Sequence, residues 1–413
     1  MKSKNEMKVW IPAIAVALGY FVDLYDLLLF SSVRTASLKE LGITGDTATA
    51  YTKNLMNLTV LGMLVGGFLW GILADKKGRL SVLFLSIGTY TLANLFNAFV
   101  TDILSYQICR FVAGLGLAGE LGVGITLVSE LMSKEQRTKA GLIITSSGML
   151  GAVTAGALAY FLKGQMIWGV SSWRFLFILG AIFGILLLVF RVSIKESSLF
   201  LNNENTNRGS LTLLFSDKKR MLKFLYCVLV GLPVFFIIGN FITLSPEYGN
   251  AKGLSDINPA LCVLFCYLSV SIFDILGTWL SKKWKSRKKV LYLFLVIQIV
   301  SVAVFLFLPT PTDTIFYIKI AFLGCGTGYW GVLILNSVEQ FGTNLRSTVA
   351  TTVPNLIRGA LIPLSICFFD PIKPHVGLVL SGAVVAFFSI AVALFAVSQL
   401  RDKFETDLSF QEN

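Results

Sequence analysis

Apolar runs of about 20 residues recur along this chain, each long enough to cross a ~30 Å hydrocarbon core as a helix. Within lipid every backbone N–H and C=O must be satisfied inside the segment or by a closed barrel, so the choice narrows to helices or a β-barrel. Strict two-residue alternation is absent, which removes the barrel. Composition agrees: 55% of residues are hydrophobic and 14% charged, against about 25% charged in soluble proteins. The expected fold class is an all-α membrane protein. Its segments run over about 9–32, 54–74, 80–100, 104–131, 139–162, 173–193, 221–244, 258–280, 289–308, 315–338, 347–369 and 376–399. The first begins near Lys8 without a small-residue cleavage site, so it reads as a retained helix rather than a signal peptide.

The net charge of +12 suggests nucleic acid only until its distribution is considered. Most of the 35 Lys and Arg fall in the termini and in alternate loops. That is the positive-inside pattern, and it predicts two cytoplasmic termini in a bacterial-type inner membrane. The six cysteines, Cys109, Cys227, Cys262, Cys266, Cys325 and Cys367, lie in or at the ends of apolar segments. No His or further Cys stands near Cys262 and Cys266 to complete a zinc site. Neither a Walker loop nor a metal-ligand cluster is visible, so no cofactor, ATP-driven transport or enzymatic chemistry is expected. The lone His375, beside Pro374, reads as a surface residue.

A polar stretch, Lys195 to Lys219 with N-N-E-N-T-N at 202–207, splits the segments six and six. The expected organisation is a first bundle over 1–194, a cytoplasmic linker over 195–219, a second bundle over 220–400 and a tail over 401–413. A shift of 209 residues carries Arg110 onto Lys319, Gly119 onto Gly328, Gly122 onto Gly331, Glu130 onto Glu339 and Arg137 onto Arg346. Such internal duplication is how many secondary transporters are built, with solute held near the midplane between the halves.

Charge inside such segments is costly, at least ~2.5–3.5 kcal/mol per ionisable side chain near the bilayer centre, and so points to function. The first segment carries two carboxylates in G-Y-F-V-D-L-Y-D, Asp23 and Asp26. Three residues apart, they share a helix face. Two acids so close, near a cation such as Arg110, are suited to take up and release a proton. In the fourth segment, R-F-V-A-G-L-G-L-A-G-E-L-G-V-G supplies Arg110 and Glu120 among glycines that allow close helix approach. Asn240, Asp274, Lys319, Asn355 and Arg358 are polar groups at membrane depth in the second half, and Tyr329 occupies the position paired with Glu120. Arg358 is the strongest candidate for a solute carboxylate, because a guanidinium binds one bidentately. Trp173 and Arg174, opening the sixth segment, read as interfacial anchors.

The loop G-I-L-A-D-K-K-G-R, Gly71 to Arg79, resembles the G-x-x-x-D-x-x-G-R signature of the major facilitator superfamily. A weaker copy, W-L-S-K-K-W-K-S-R-K-K from Trp279 to Lys289, has Lys283 where the acid would stand. The K-E-S-S-L-F at 195–200 is similar to a sequence closing the first half in the branch of sugar porters and of metabolite and aromatic-acid symporters. The resemblance implies twelve helices in two pseudo-symmetric six-helix bundles. It implies proton coupling through Asp26, Asp23, Arg110 and Glu120, with Arg110 near the first-helix acid and Asp26 as the carrier, since Tyr25-Asp26 matches the aromatic-Asp element. Gating is assigned to Asp75, Gly78, Arg79, Glu130, Arg137, Glu339 and Arg346, the acid and base at each cytoplasmic end forming salt bridges that close the inner face. Solute contacts are assigned to Arg358, Asn355, Asn240, Tyr329 and Asp274. The expected activity is proton-coupled uptake of a small anionic or zwitterionic metabolite by a monomer in the lipid bilayer, through alternating access. A proton-driven exporter and a non-transporting sensor or scaffold are the alternatives.

Overall fold

The computed structural model describes residues 2–132, 134–192 and 211–404. The stretch 193–210, with K-E-S-S-L-F and the Asn-rich linker, lies outside the described residues, as do the side chains of Asp75, Glu130, Arg137 and Arg346. In the first half, helices run over Lys2–Glu40, Gly45–Lys77, Arg79–Asn97, Ile103–Leu117 with Glu120–Leu131, Lys134–Phe161 and Ser172–Arg191. The second half contributes Lys218–Phe236, Pro259–Lys283, Arg287–Phe307, Asp313–Thr327 with Trp330–Glu339, and Thr343–Gly359. Eleven stretches are long and apolar enough to cross a membrane, but the last, Thr348–Gln399, spans 52 residues. Gly377 interrupts it at φ 79° and ψ 174°, a conformation open to glycine and strained for other residues. Two crossings meet there, which makes twelve among the described residues.

Local chemistry sets many helix starts. Asp102, Asp217, Asn258, Ser286 and Thr312 each accept a backbone N–H of the first turn, which satisfies an otherwise orphaned donor. At Asp102, the Ser105 N–H and hydroxyl hold the carboxyl below its usual range. The fourth and tenth crossings break at the duplicated glycines. A Cβ on Gly119 would lie 2.9 Å from Ser86 Cβ, and one on Gly328 would lie 2.5 Å from Phe273 Cβ. Close approach of a neighbour is therefore built into both copies.

The halves meet along two seams, the fifth crossing against the eighth and the second against the eleventh. Gly122, one of the glycines expected to allow close helix approach, does so against the other half, where a Cβ would come within 2.3 Å of Thr351 Cα. Large apolar side chains such as Leu92, Phe96, Ile108 and Val189 are exposed on the outer surface, as hydrocarbon solvent permits. Trp173 departs from its interfacial assignment. It is buried, donates to Glu40 at 2.6 Å and stacks under Arg174, which pairs with the same carboxylate at 2.8 Å. His375 is exposed, as expected.

Candidate solute and proton site

The first helix packs against the fifth and sixth crossings and also reaches the second half. This position gives its two carboxylates different surroundings, although they stand one turn apart. Asp23 faces across the interface, and its Oδ2 lies 3.6 Å from Arg358 Nη2. Both side chains are buried, and 3.6 Å is ion-pair contact but too long for a hydrogen bond. Neither Asp23 oxygen, nor Nε or Nη2 of Arg358, is satisfied by a protein hydrogen bond. Buried polar groups are nearly always satisfied. An under-satisfied charge pair between the two halves is chemically suited to exchange partners.

Asp26 stays within the first half, near Asn94 and within the field of Arg110. Arg110 lies near this acid, as the resemblance implied, without an ion pair to it among the described residues. Arg110 Nε donates to Thr59 Oγ1 at 3.1 Å, and its guanidinium sits 5.3 Å from the Phe30 ring centroid. Arg110 is thus an electrostatic neighbour of Asp26 held by other partners. The adjacent Tyr25 hydroxyl donates to the Leu176 carbonyl at 3.0 Å.

Glu120 has a partner that sequence reasoning missed. Arg191, at the end of the sixth crossing, donates from Nη1 to its Oε2 at 3.1 Å and from Nη2 to its Oε1, and reaches the Ala15 carbonyl at 3.3 Å. Both residues are buried. An arginine at a helix end reads as a topological anchor, and nothing in its local sequence distinguishes Arg191 from one. Gly19 makes room for the pair, since a Cβ there would lie 1.7 Å from Glu120 Oε1.

The second-half candidates divide into two groups. Arg358 and Asn355 face the other half, with Asn355 Nδ2 donating to the Ala118 carbonyl at 3.0 Å and to its own helix at Thr351 O. Asn240 and Tyr329 are engaged within the second half, while Asp274 is held by its own half and also meets Thr145 of the fifth crossing. Asn240 Oδ1 accepts from Tyr248 at 2.6 Å, the Tyr329 hydroxyl donates to the Val230 carbonyl at 3.1 Å, and Asp274 Oδ1 accepts the Gly331 N–H at 2.7 Å. Lys319, the counterpart of Arg110, donates to the Leu308 and Pro309 carbonyls and to Thr310. It holds the exit from the ninth crossing rather than facing the interface.

Aromatic groups complete the surroundings of Arg358. Its guanidinium lies 5.7 Å from the centroid of Phe235, whose ring meets Trp330 edge-on at 5.5 Å. Trp330 Nε1 donates to Tyr20 Oη at 3.0 Å, another link between halves. Tyr20 sits in the same G-Y-F-V-D stretch as Asp23 and Trp330 follows Tyr329, yet isolated aromatics in apolar runs carry no signal of their own.

At the face where the chain enters and leaves, Gly78 turns between the second and third crossings with φ 95° and ψ 155°, and Arg79 is buried. In the second copy Glu339 accepts from Arg287 Nη2 at 2.8 Å and Nε at 3.2 Å. Arg287 belongs to the basic loop that lacks the acid, while the side chain of Arg346, the base expected beside Glu339, lies outside the described residues.

A Major Facilitator Superfamily family model matches residues 16–360. The chain belongs to that superfamily. A Bacillus subtilis relative described as "Putative niacin/nicotinamide transporter NiaP" is 28% identical over 345 residues, covering 81% of this chain and 82% of the relative. The niacin transporter NiaP of Acinetobacter baylyi is 29% identical over 188 residues, 46% of this chain and 41% of that one. Among solved structures, the proton:xylose symporter XylE superposes with a TM-score of 0.78 at 16% identity, covering 98% of each chain. A partially occluded inward-open form of XylE from E. coli gives 0.74 at 16% identity, covering 97% of this chain and 99% of that one. The protein is a membrane transporter of the superfamily and not an enzyme, and it has the superfamily's all-α architecture of two six-helix bundles.

Proposed function

We propose that this transporter takes up a small organic anion or zwitterion together with a proton. The observation that carries the reading is the buried Asp23–Arg358 contact between halves. A solute carboxylate is a better bidentate partner for Arg358 than an aspartate held at 3.6 Å. When Asp23 accepts a proton it releases Arg358 to the solute, whose carboxylate replaces the lost aspartate charge. States with an unmatched charge are costly to bury, which discourages movement of proton or solute alone. Asp26, with Arg110 nearby, stands one turn further along the helix as a second acid on the proton route. The geometry favours Asp23 over Asp26 for direct competition with solute.

Solute then binds at Arg358 and Asn355 beside Phe235 and Trp330, and the halves rock to open the opposite face. The niacin in the names of two relatives is a carboxylate and supports a carboxylate-bearing solute, and the name of a third supports a metabolite. The basic terminal loops support cytoplasmic termini in a bacterial-type inner membrane. In this reading the transporter works as a monomer, with the solute path between its two six-helix bundles. Uptake rather than export is tested in vesicles with an imposed pH gradient. Nicotinate and a panel of mono- and dicarboxylates should accumulate on the alkaline side, and extrusion or absent flux would contradict the reading. Asp23→Asn should abolish uphill accumulation while leaving some solute exchange. A fully coupled Asp23→Asn protein would exclude Asp23 as the coupling group.

A further inference from the structure

A second set of contacts between halves lies at the face away from the termini. Arg34, near the end of the first helix and only 3% exposed, donates from Nη1 at 3.0 Å and Nη2 at 2.6 Å to the two oxygens of Glu247. Glu247 belongs to the short helix Ser245–Ala251 of the second half. Two threonines of the second helix frame the pair: Thr52 Oγ1 accepts from Arg34 at 3.1 Å, and Thr49 Oγ1 donates to Glu247 at 3.2 Å. One turn deeper, the hydroxyls of Ser31 and Thr243 are 2.9 Å apart. On the other seam Lys53 donates to Asp370 and lies 4.5 Å from the Phe369 ring centroid.

All of these links join the first two helices to the seventh or eleventh crossing or to the residues just beyond them. Each second-half anchor also follows a stretch of wide π turns, Ile237–Ile242 before Thr243 and Glu247, and Leu364–Phe369 before Asp370. Such turns recur at functional bends in helices. The terminal face shows other contacts among the described residues. Its described Arg287–Glu339 pair stays within one half, and the halves approach through backbone at Gly122 and Thr351.

We propose that the Arg34–Glu247 pair, framed by Thr49 and Thr52 and assisted by Lys53–Asp370, is the latch of the far gate, which parts as the π segments bend to admit solute. The assignment rests on the alternating-access reading above. Chemistry suits the role. The paired guanidinium and carboxylate fix one geometry, while Glu247, 21% exposed, keeps contact with water and so separates without stranding a buried anion.

The test needs no solute. Spin labels at Lys39→Cys and Asn250→Cys, both exposed, report the width of the far face when Cys109, Cys325 and Cys367 are replaced by Ser in bilayer discs. A short distance should dominate with the native pair and a longer one after Glu247→Gln. The short distance should return in the charge swap Arg34→Glu with Glu247→Arg. Glu247→Gln is isosteric and keeps the acceptor for Thr49, so it remains informative if Arg34 variants fail to fold. An unchanged distribution in Glu247→Gln, or no recovery in a swap that melts like the native protein, would overturn the latch. Labels at the exposed Lys77 and Lys282 read the terminal face separately. If the far face opens while the terminal distance stays fixed, the latch stands and the reciprocal movement of the two faces does not.

Discussion

The cost of burying charge makes Glu120 and Arg191 mutually dependent. Removing one member of a buried pair strands the other and costs about 3–5 kcal/mol, whereas replacing both with apolar groups is often close to neutral. Arg191→Met should therefore destabilise the protein strongly, and Glu120→Met combined with Arg191→Met far less. Thermal unfolding in detergent checks this, and equal losses in single and double variants would deny the coupling. Gly19→Ala should behave like Arg191→Met, because its Cβ would lie 1.7 Å from Glu120 Oε1. At this scale the sequence marks the expensive residues, since Asp23, Asp26, Arg110, Glu120 and Arg358 all stand in apolar runs. It does not say which pairs with which. Asp23 meets Arg358 and Glu120 meets Arg191 through packing of helices remote in sequence, and no local pattern encodes that choice.

At the scale of helices, small residues decide how closely the halves approach. Gly122→Ala should push the eleventh crossing away at Thr351. Overpacking costs about 1–3 kcal/mol, so the close approach at this seam should lose roughly fivefold to a hundredfold in population, since each 1.4 kcal/mol is a factor of ten. Labels at Lys77 and Lys282 would show a longer distance, and an unchanged distribution would refute the assignment of Gly122 to the interface. Glu339→Gln should release the loop between the eighth and ninth crossings, since Arg287 gives that carboxylate two hydrogen bonds. Faster deuterium exchange at Lys283–Ser286 is the expected readout, and unaltered exchange would show that other contacts hold the loop. The duplication exposed Glu339 as important because equal spacing in two copies is visible in sequence. Its partner was not visible, because Arg287 sits among six Lys and Arg of one basic loop. Trp173 likewise looked interfacial until the fold brought Glu40 to its indole N–H.

For the whole molecule, the architecture was legible because membrane crossings are local: their length and apolar composition do not depend on distant contacts. Even the fused Thr348–Gln399 stretch separates into two crossings at Gly377, within the first residues of the segment expected at 376–399 and after the one expected at 347–369. The proposed coupling rests on the assembled interface, where Asp23, Arg358, Tyr20, Trp330 and Asn355 meet from both halves. Its most direct test is the pH inside vesicles of reconstituted protein when a transported carboxylate, chosen from the nicotinate and carboxylate panel, is added outside. The account predicts acidification of the lumen with the native protein and its loss in Asp23→Asn. Solute entry with no change in lumenal pH, or acidification that persists in Asp23→Asn, would contradict it.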